Sequence, residues 1–165
     1  MGTSLMTSRR TTDFEAFYRS EADRVYRALA VALNNPQLAR EAADEAMARA
    51  YARWSQVRDH DSPGGWAFRV GMNWATSWWR KVRRERPLPA ADDLHPARED
   101  PGHQQALAAL YRLPLPQRTV IVCRVLLDLS TVETAAVLDI AEGTVKSRMA
   151  RGLAELRRML GEEHT

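Results

Sequence analysis

Thr144, Lys146, Ser147, Arg148 and Arg151 are the residues whose types and spacing best suit a chemistry, and that chemistry is recognition of paired DNA. On one helix, small side chains at Thr144, Ser147, Ala150 and Ala154 would let the backbone approach base edges. Lys146, Arg148 and Arg151 would reach phosphates or the acceptors of guanine. Residues 144–158 hold five bases against the single acid Glu155, whereas 130–143 hold three acids (Glu133, Asp139, Glu142) and no base. A solvated amphipathic helix would carry similar arginines; the segregation of charge across a short turn favours a DNA reader.

A second chemistry lies upstream. Trp66, Trp74, Trp78 and Trp79 are four of the five tryptophans, and they run into Arg80, Lys81, Arg83, Arg84 and Arg86. Aromatic faces stack on unpaired bases while cations hold phosphates, so this stretch reads as a single-strand platform. Trp66 and Trp74 also fit as core anchors, being spaced by four with Val70 and Trp78. Trp78 and Trp79 cannot both face inward. Catalysis has no comparable signal. The histidines (His60, His95, His103, His164) are scattered, and no metal-ligand spacing, glycine-rich phosphate loop or nucleophile elbow occurs. Neither a metal nor another cofactor is expected, and the protein is not expected to be an enzyme.

The elements that position these residues are helices. Ser130 and Glu133 form a capping box that starts a helix at Thr131. It should end near Leu138, with Asp139 accepting a left-handed backbone. On the next helix Val145, Met149, Leu153, Leu156 and Leu160 gather on the buried side. Towards the N-terminus, Thr12 and Glu15 form another capping box, after which Phe14, Phe17, Tyr18, Ala22, Val25, Leu29 and Leu33 mark a first helix. Asn35-Pro36 then starts a second with Leu38, Ala42, Ala46, Ala50, Trp54 and Val57. Ser62-Pro63 starts a third, running to about Arg84. Residues 87–103 carry four of the eight prolines, four acids and one arginine, too little apolar surface to fold alone. Beyond this tether, Leu107, Leu110 and Leu113 form a short helix. A proline-led helix follows, with Val120, Ile121, Val125 and Leu126 packing under the helix-turn-helix.

Composition agrees with such a chain. Of 24 basic residues 22 are arginine, and the formal net charge is +3, so distribution rather than total charge carries the argument. Cys123, the one cysteine, sits in an apolar run and reads as a buried small hydrophobe. No apolar stretch reaches membrane-spanning length, and residues 1–12 lack a signal core. A cytoplasmic protein with a loose N-terminal tail is expected. No segment alternates as a strand does, so the expected fold is all-α: a tail at 1–12, a helical domain at 13–86, a flexible acidic linker at 87–103 and a second helical domain at 104–160.

Four stretches make this chain resemble bacterial RNA polymerase sigma factors of the extracytoplasmic-function type, group 4 of the sigma-70 superfamily. They are DFEAFYRSEADRVYR (13–27), LAREAADEAMARAYARW (38–54), SPGGWAFRVGMNWATSWWRKVRRER (62–86) and LPLPQRTVIVCRVLLDLSTVETAAVLDIAEGTVKSRMARGLAELRR (113–158). The last is the most specific, with its proline-led helix, ETAAVL and GTVKSR in family order. The resemblance implies a factor that binds core RNA polymerase and directs it to promoters. It implies polymerase contacts at Arg40, Glu41, Asp44, Glu45, Met47, Ala48 and Tyr51. His60, Asp61 and Asn73, with Arg80, Lys81, Arg83 and Arg84, would handle the non-template single strand of the minus-ten element. Thr144, Lys146, Ser147, Arg148 and Arg151 would read the minus-thirty-five element as duplex. Many relatives are held by an anti-sigma protein, which makes one a candidate partner here. The chain differs from the usual pattern at Asp44 and Met47, where glutamine and phenylalanine are common, and at Asp139, where glycine is common. The other reading of the same residues is a helix-turn-helix regulator that is no polymerase subunit; the tryptophan-basic helix and acidic tether argue against it.

Overall fold

The computed structural model describes residues 2–83 and 100–162, which form helices and short connections. Helix α1 (Gly2–Leu33) buries Phe17, Val25, Ala28, Leu29 and Ala32 along one stripe. It begins eleven residues earlier than the expected tail allows: residues 2–12 are helical, so the helix does not start at the Thr12–Glu15 box. No proline interrupts them, and once packing anchors a helix, adding turns is cheap beside nucleating one.

Asn35 caps α2 (Pro36–Ala52) by accepting the Leu38 N–H at 3.0 Å, with Pro36 in the first turn. The second helix was expected to continue to Val57. Instead Arg53 (φ −114, ψ 26) breaks it, and α3 (Trp54–Val57) follows. The break aims both Trp54 and Val57 into the core. The Trp54 ring meets Phe14 edge-on at 5.5 Å and lies 5.0 Å from Phe17. Ser62 Oγ then accepts the Gly65 N–H at 3.1 Å to open α4 (Pro63–Arg83). Phe68 is fully buried, a contribution of roughly 1.5–3 kcal/mol for a side chain of this kind. Gly71 lets α4 settle onto its neighbours: a Cβ there would lie 2.9 Å from Leu29 Cδ1 and 3.3 Å from the Ala42 carbonyl oxygen.

The second block opens with α5 (Pro101–Arg112), so the last three residues of the expected tether are helical, with Pro101 in the permissive first position. Residues 87–99 of the tether lie outside the described residues. Helix α6 (Leu115–Ile121) passes into a π-helical turn at Val122–Leu126, where the Leu127 N–H bonds the Val122 carbonyl at 3.2 Å. The extra residue in this turn rotates the side chains that follow. Val125 and Leu126, expected beneath the helix-turn-helix, are 62% and 37% exposed, while Val122, Cys123 and Leu127 are buried in their place.

The capping box at α7 (Thr131–Leu138) is complete: Ser130 Oγ accepts the Glu133 N–H at 3.0 Å, and Glu133 Oε1 accepts the Ser130 N–H at 3.1 Å. Asp139 adopts φ 54, the left-handed turn anticipated for it. Helix α8 (Glu142–Glu162) starts two residues before Thr144.

The two blocks touch. Val122, Cys123, Leu127, Leu129 and Val137 of the second belong to the same buried cluster as Phe17, Val25, Leu29 and Phe68 of the first. Smaller cores sit inside the second block, one around Ala109, Leu113, Ile121 and Met159 and another around Val120, Ala135 and Val145. Arg118 adds a polar tie. Its Nε and Nη2 donate to the Ala32 carbonyl at 3.1 and 2.9 Å, and its Nη1 donates to the Tyr111 and Leu113 carbonyls, each at 3.1 Å.

Candidate nucleic-acid interface

Helix α8 presents two faces. Val145 and Met159 are buried, and Met149, Leu153, Leu156 and Leu160 are half-buried, so the expected inward side is inward. Met159 is more deeply buried than the Leu160 read from the periodicity. Gly152 explains the close seat of this helix: a Cβ there would lie 2.8 Å from Ile121 Cδ1. The other side gathers Thr144, Ser147, Arg148 and Arg151, spaced by three, four and seven so that they share one face. Ser147 and Arg151 are exposed and Thr144 and Arg148 half-buried, with exposed Lys146 at the flank. Farther along, Arg158 forks onto Glu155, its Nε donating to Oε2 at 3.0 Å and its Nη2 to Oε1. That hydrogen bond holds the Glu155 carboxyl below the ordinary glutamate value. The pairing leaves Arg148, Arg151 and Lys146 as the cations best placed on the face.

In the first block, His60 and Asp61 are exposed in the loop between α3 and α4. His60 Nδ1 faces the Ser62 N–H at 3.4 Å, which holds the ring against the start of α4. Along α4, Asn73, Ser77, Arg80 and Lys81 are all exposed. Asn73, Ser77 and Arg80 form one stripe by helical spacing. Exposed Arg69, four residues before Asn73, extends it by one turn. Beside the stripe, Trp74 and Trp78 lie stacked, 6.5 Å between centroids at 21°. Trp78 is the outward member of the tryptophan pair at 37% exposure, and Trp79 is half-buried. Arg83 ends α4, and Arg84 lies outside the described residues.

On α2, Glu41, Asp44, Ala48 and Tyr51 are exposed along one side. Glu45 pairs with Arg49 at 2.9 Å, and the guanidinium of exposed Arg40 sits 3.7 Å over the Tyr26 ring. Met47 departs from its expected role as a surface contact. It is 5% exposed and packed in the core, because it shares the inward stripe with Ala39, Ala43, Ala46 and Ala50.

Comparison with known proteins decides the family. Residues 17–85 match the family model "Sigma-70 region 2", and residues 103–156 match "Sigma-70, region 4". The RNA polymerase sigma-E factor of Streptomyces coelicolor is 34% identical over 153 residues, spanning 90% of this chain and 86% of that protein. The chain belongs to the ECF family of RNA polymerase sigma factors. It is similar also to the ECF RNA polymerase sigma factor SigM of Mycobacterium tuberculosis, at 30% identity over 92% of this chain and 79% of that one. The fold is that of the sigma factor RpoE of Bartonella quintana, solved in complex with the anti-sigma factor NepR, with a TM-score of 0.79 at 22% identity over 90% of this chain and 97% of that chain. A sigma factor is a non-catalytic subunit of transcription initiation. In the sigma factor described here, α1 to α4 form region 2, and α5 to α8 form region 4 with its helix-turn-helix.

Proposed function

We propose that the two regions of this sigma factor divide the promoter between them. Region 4 lays the Thr144, Ser147, Arg148 and Arg151 face of α8 in the major groove of the upstream element, with Lys146 on an adjoining phosphate. Region 2 receives the non-template strand of the minus-ten element at His60, Asp61 and the Asn73 stripe. Arg80, Lys81, Arg83 and Arg84 carry its phosphates, and Arg69 extends the same track. Core RNA polymerase docks on the outward side of α2, through Arg40, Glu41, Asp44, Glu45, Ala48 and Tyr51. Residues 13–86 and 104–160 serve as the two working units, and 87–103 as their connector.

The observation that carries this reading is the Trp74–Trp78 stack, partly open to solvent, beside an exposed polar and basic stripe. An unpaired base needs an aromatic surface and a nearby phosphate holder, and α4 offers both. No described helix is long and apolar enough to cross a membrane. With core polymerase as partner, the site of action is the cytoplasm. An anti-sigma protein is a further partner, as for the relative from Bartonella quintana.

Run-off transcription with bacterial core polymerase and a genomic promoter pool tests the proposal. Discrete transcripts that require the chain are expected, and they should disappear when Arg80 and Lys81 are both changed to Glu. Transcripts unchanged by that double substitution would refute the strand-holding role.

A further inference from the structure

We infer that Asp13 is a positioning residue for strand opening: from α1 it holds Arg58, and through Arg58 the shape of the His60–Asp61 loop. The inference rests on the assignment of that loop to the non-template strand made above. Arg58 Nη2 lies 3.2 Å from Asp13 Oδ2, so the pair ties the start of the loop to a helix far away in sequence. Because α1 begins at Gly2, Asp13 sits well inside it and not at a fraying end. Phe17 and Glu21 follow at intervals of four, on the same face. Phe17 lies 5.0 Å from the Trp54 ring just before the loop, and a Cβ at Gly64, just after it, would lie 2.8 Å from Glu21 Oε2. One face of α1 thus underlies the segment from α3 to the first turn of α4, and Asp13 supplies its contact with the loop itself.

The charges of the loop show what this contact prevents. Arg58, Asp59 and Asp61 place one cation beside two carboxylates in a short stretch. The backbone turn is closed by the Arg58 N–H on the Trp54 carbonyl at 2.9 Å and the His60 N–H on the Val57 carbonyl at 3.0 Å, bonds that leave the guanidinium undirected. Asp59 Oδ1 already lies 4.0 Å from Arg58 Nε. Asp13 competes from outside the loop at the shorter distance, and His60 and Asp61 stay exposed. Without the Asp13 charge, Arg58 turns onto its own loop and covers the carboxylate that a flipped base would meet. The side chains of Arg58 and Asp13 are 45% and 44% exposed, so the pair adds little to global stability. Its loss should slow opening by about two- to fivefold, the range an exposed ion pair can supply.

Charge exchange tests this in the full chain assembled with core polymerase, on a promoter recovered from the genomic pool. Opening is followed by permanganate reactivity of minus-ten thymines, and closed-complex affinity and melting temperature are measured beside it. Asp13→Asn and Arg58→Asp should each slow opening, with the ratio to wild type returning towards one as salt rises. Asp13→Glu should open normally, and Asp13→Arg combined with Arg58→Asp should recover most of the rate. Closed-complex affinity and melting temperature should hold near wild type throughout. Asp23→Asn breaks an exposed pair with Arg27 elsewhere on α1 and should leave opening unchanged. Opening at the wild-type rate in Asp13→Asn, or no recovery in the exchanged pair, would overturn the inference. So would a slowing matched by equal losses of closed-complex affinity and melting temperature, which is what a merely structural role gives. Asp61→Ala separates the two levels: unimpaired opening there sinks the assignment of the loop, whereas impaired opening there beside a normal Asp13→Asn overturns the positioning role alone.

Discussion

The Arg118 guanidinium reaches the Ala32 carbonyl across 86 residues of sequence, with two hydrogen bonds of 3.1 and 2.9 Å from region 4 to the last turn of α1. Helix ends leave carbonyls without intrahelical partners, and a planar fork of donors is the side chain best shaped to gather several of them. Burial pushes the Arg118 guanidinium below its ordinary value, opposed by the neighbouring Tyr111.

Arg118→Lys should therefore destabilise the chain by about 1–3 kcal/mol, since an ammonium on a longer stem cannot serve the Ala32, Tyr111 and Leu113 carbonyls together. Urea unfolding followed by circular dichroism checks it. A midpoint equal to that of the wild type would mean that the tie contributes nothing.

The two ends of α7 predict opposite signs. Ser130→Ala removes the acceptor of the Glu133 N–H and should cost about 1 kcal/mol. Asp139→Gly relieves a non-glycine residue at φ 54 and should gain up to about 1 kcal/mol. Thermal unfolding of the two variants should move the melting temperature in opposite directions.

Cys123 gives a pH dependence. Burial pushes its thiol up from about 9 to about 12. The unfolded chain therefore releases this proton before the folded one does. Its contribution to stability is complete below pH 9 and is lost as pH rises from 9 towards 12. Urea midpoints should fall across that interval, and Cys123→Ala should flatten the fall. At pH 8 a chromogenic thiol reagent should react only after unfolding.

Much of this architecture was legible in local signals. Ser130 with Glu133, Asn35 with Pro36, and Ser62 with Pro63 are self-contained instructions, and each starts a helix where the spacing predicts. What stayed hidden depends on partners distant in sequence. Arg53 breaks α2 because Trp54 packs against Phe14 and Phe17, and Val125 turns outward because of a π-helical turn with no sequence mark of its own. Met47 looked like a surface contact by family analogy, yet the helical stripe it shares with Ala43 and Ala50 takes it inside. The docking of region 4 on region 2 could not be read at all. Leu127, Leu129 and Val137 are apolar in a way that any small core would explain.

For the duplex face, Arg148→Ala and Arg151→Ala should each weaken holoenzyme binding to upstream-element duplex by about tenfold. Where the lost contact is to phosphate, the slope of log K against log salt should become shallower by about one unit. Unchanged affinity and slope for both variants would remove α8 from the interface.

In the proposed function the two regions hold DNA in different states, region 4 paired and region 2 unpaired. A photoreactive side chain placed at Asn73 or at Ser147, both exposed, tests it most directly in a holoenzyme bound to an opened promoter. From Asn73 the cross-links should fall on the non-template strand, at bases that permanganate also finds unpaired, and from Ser147 on duplex upstream. Cross-links from both positions to the same paired segment, or none to unpaired bases from Asn73, would contradict it.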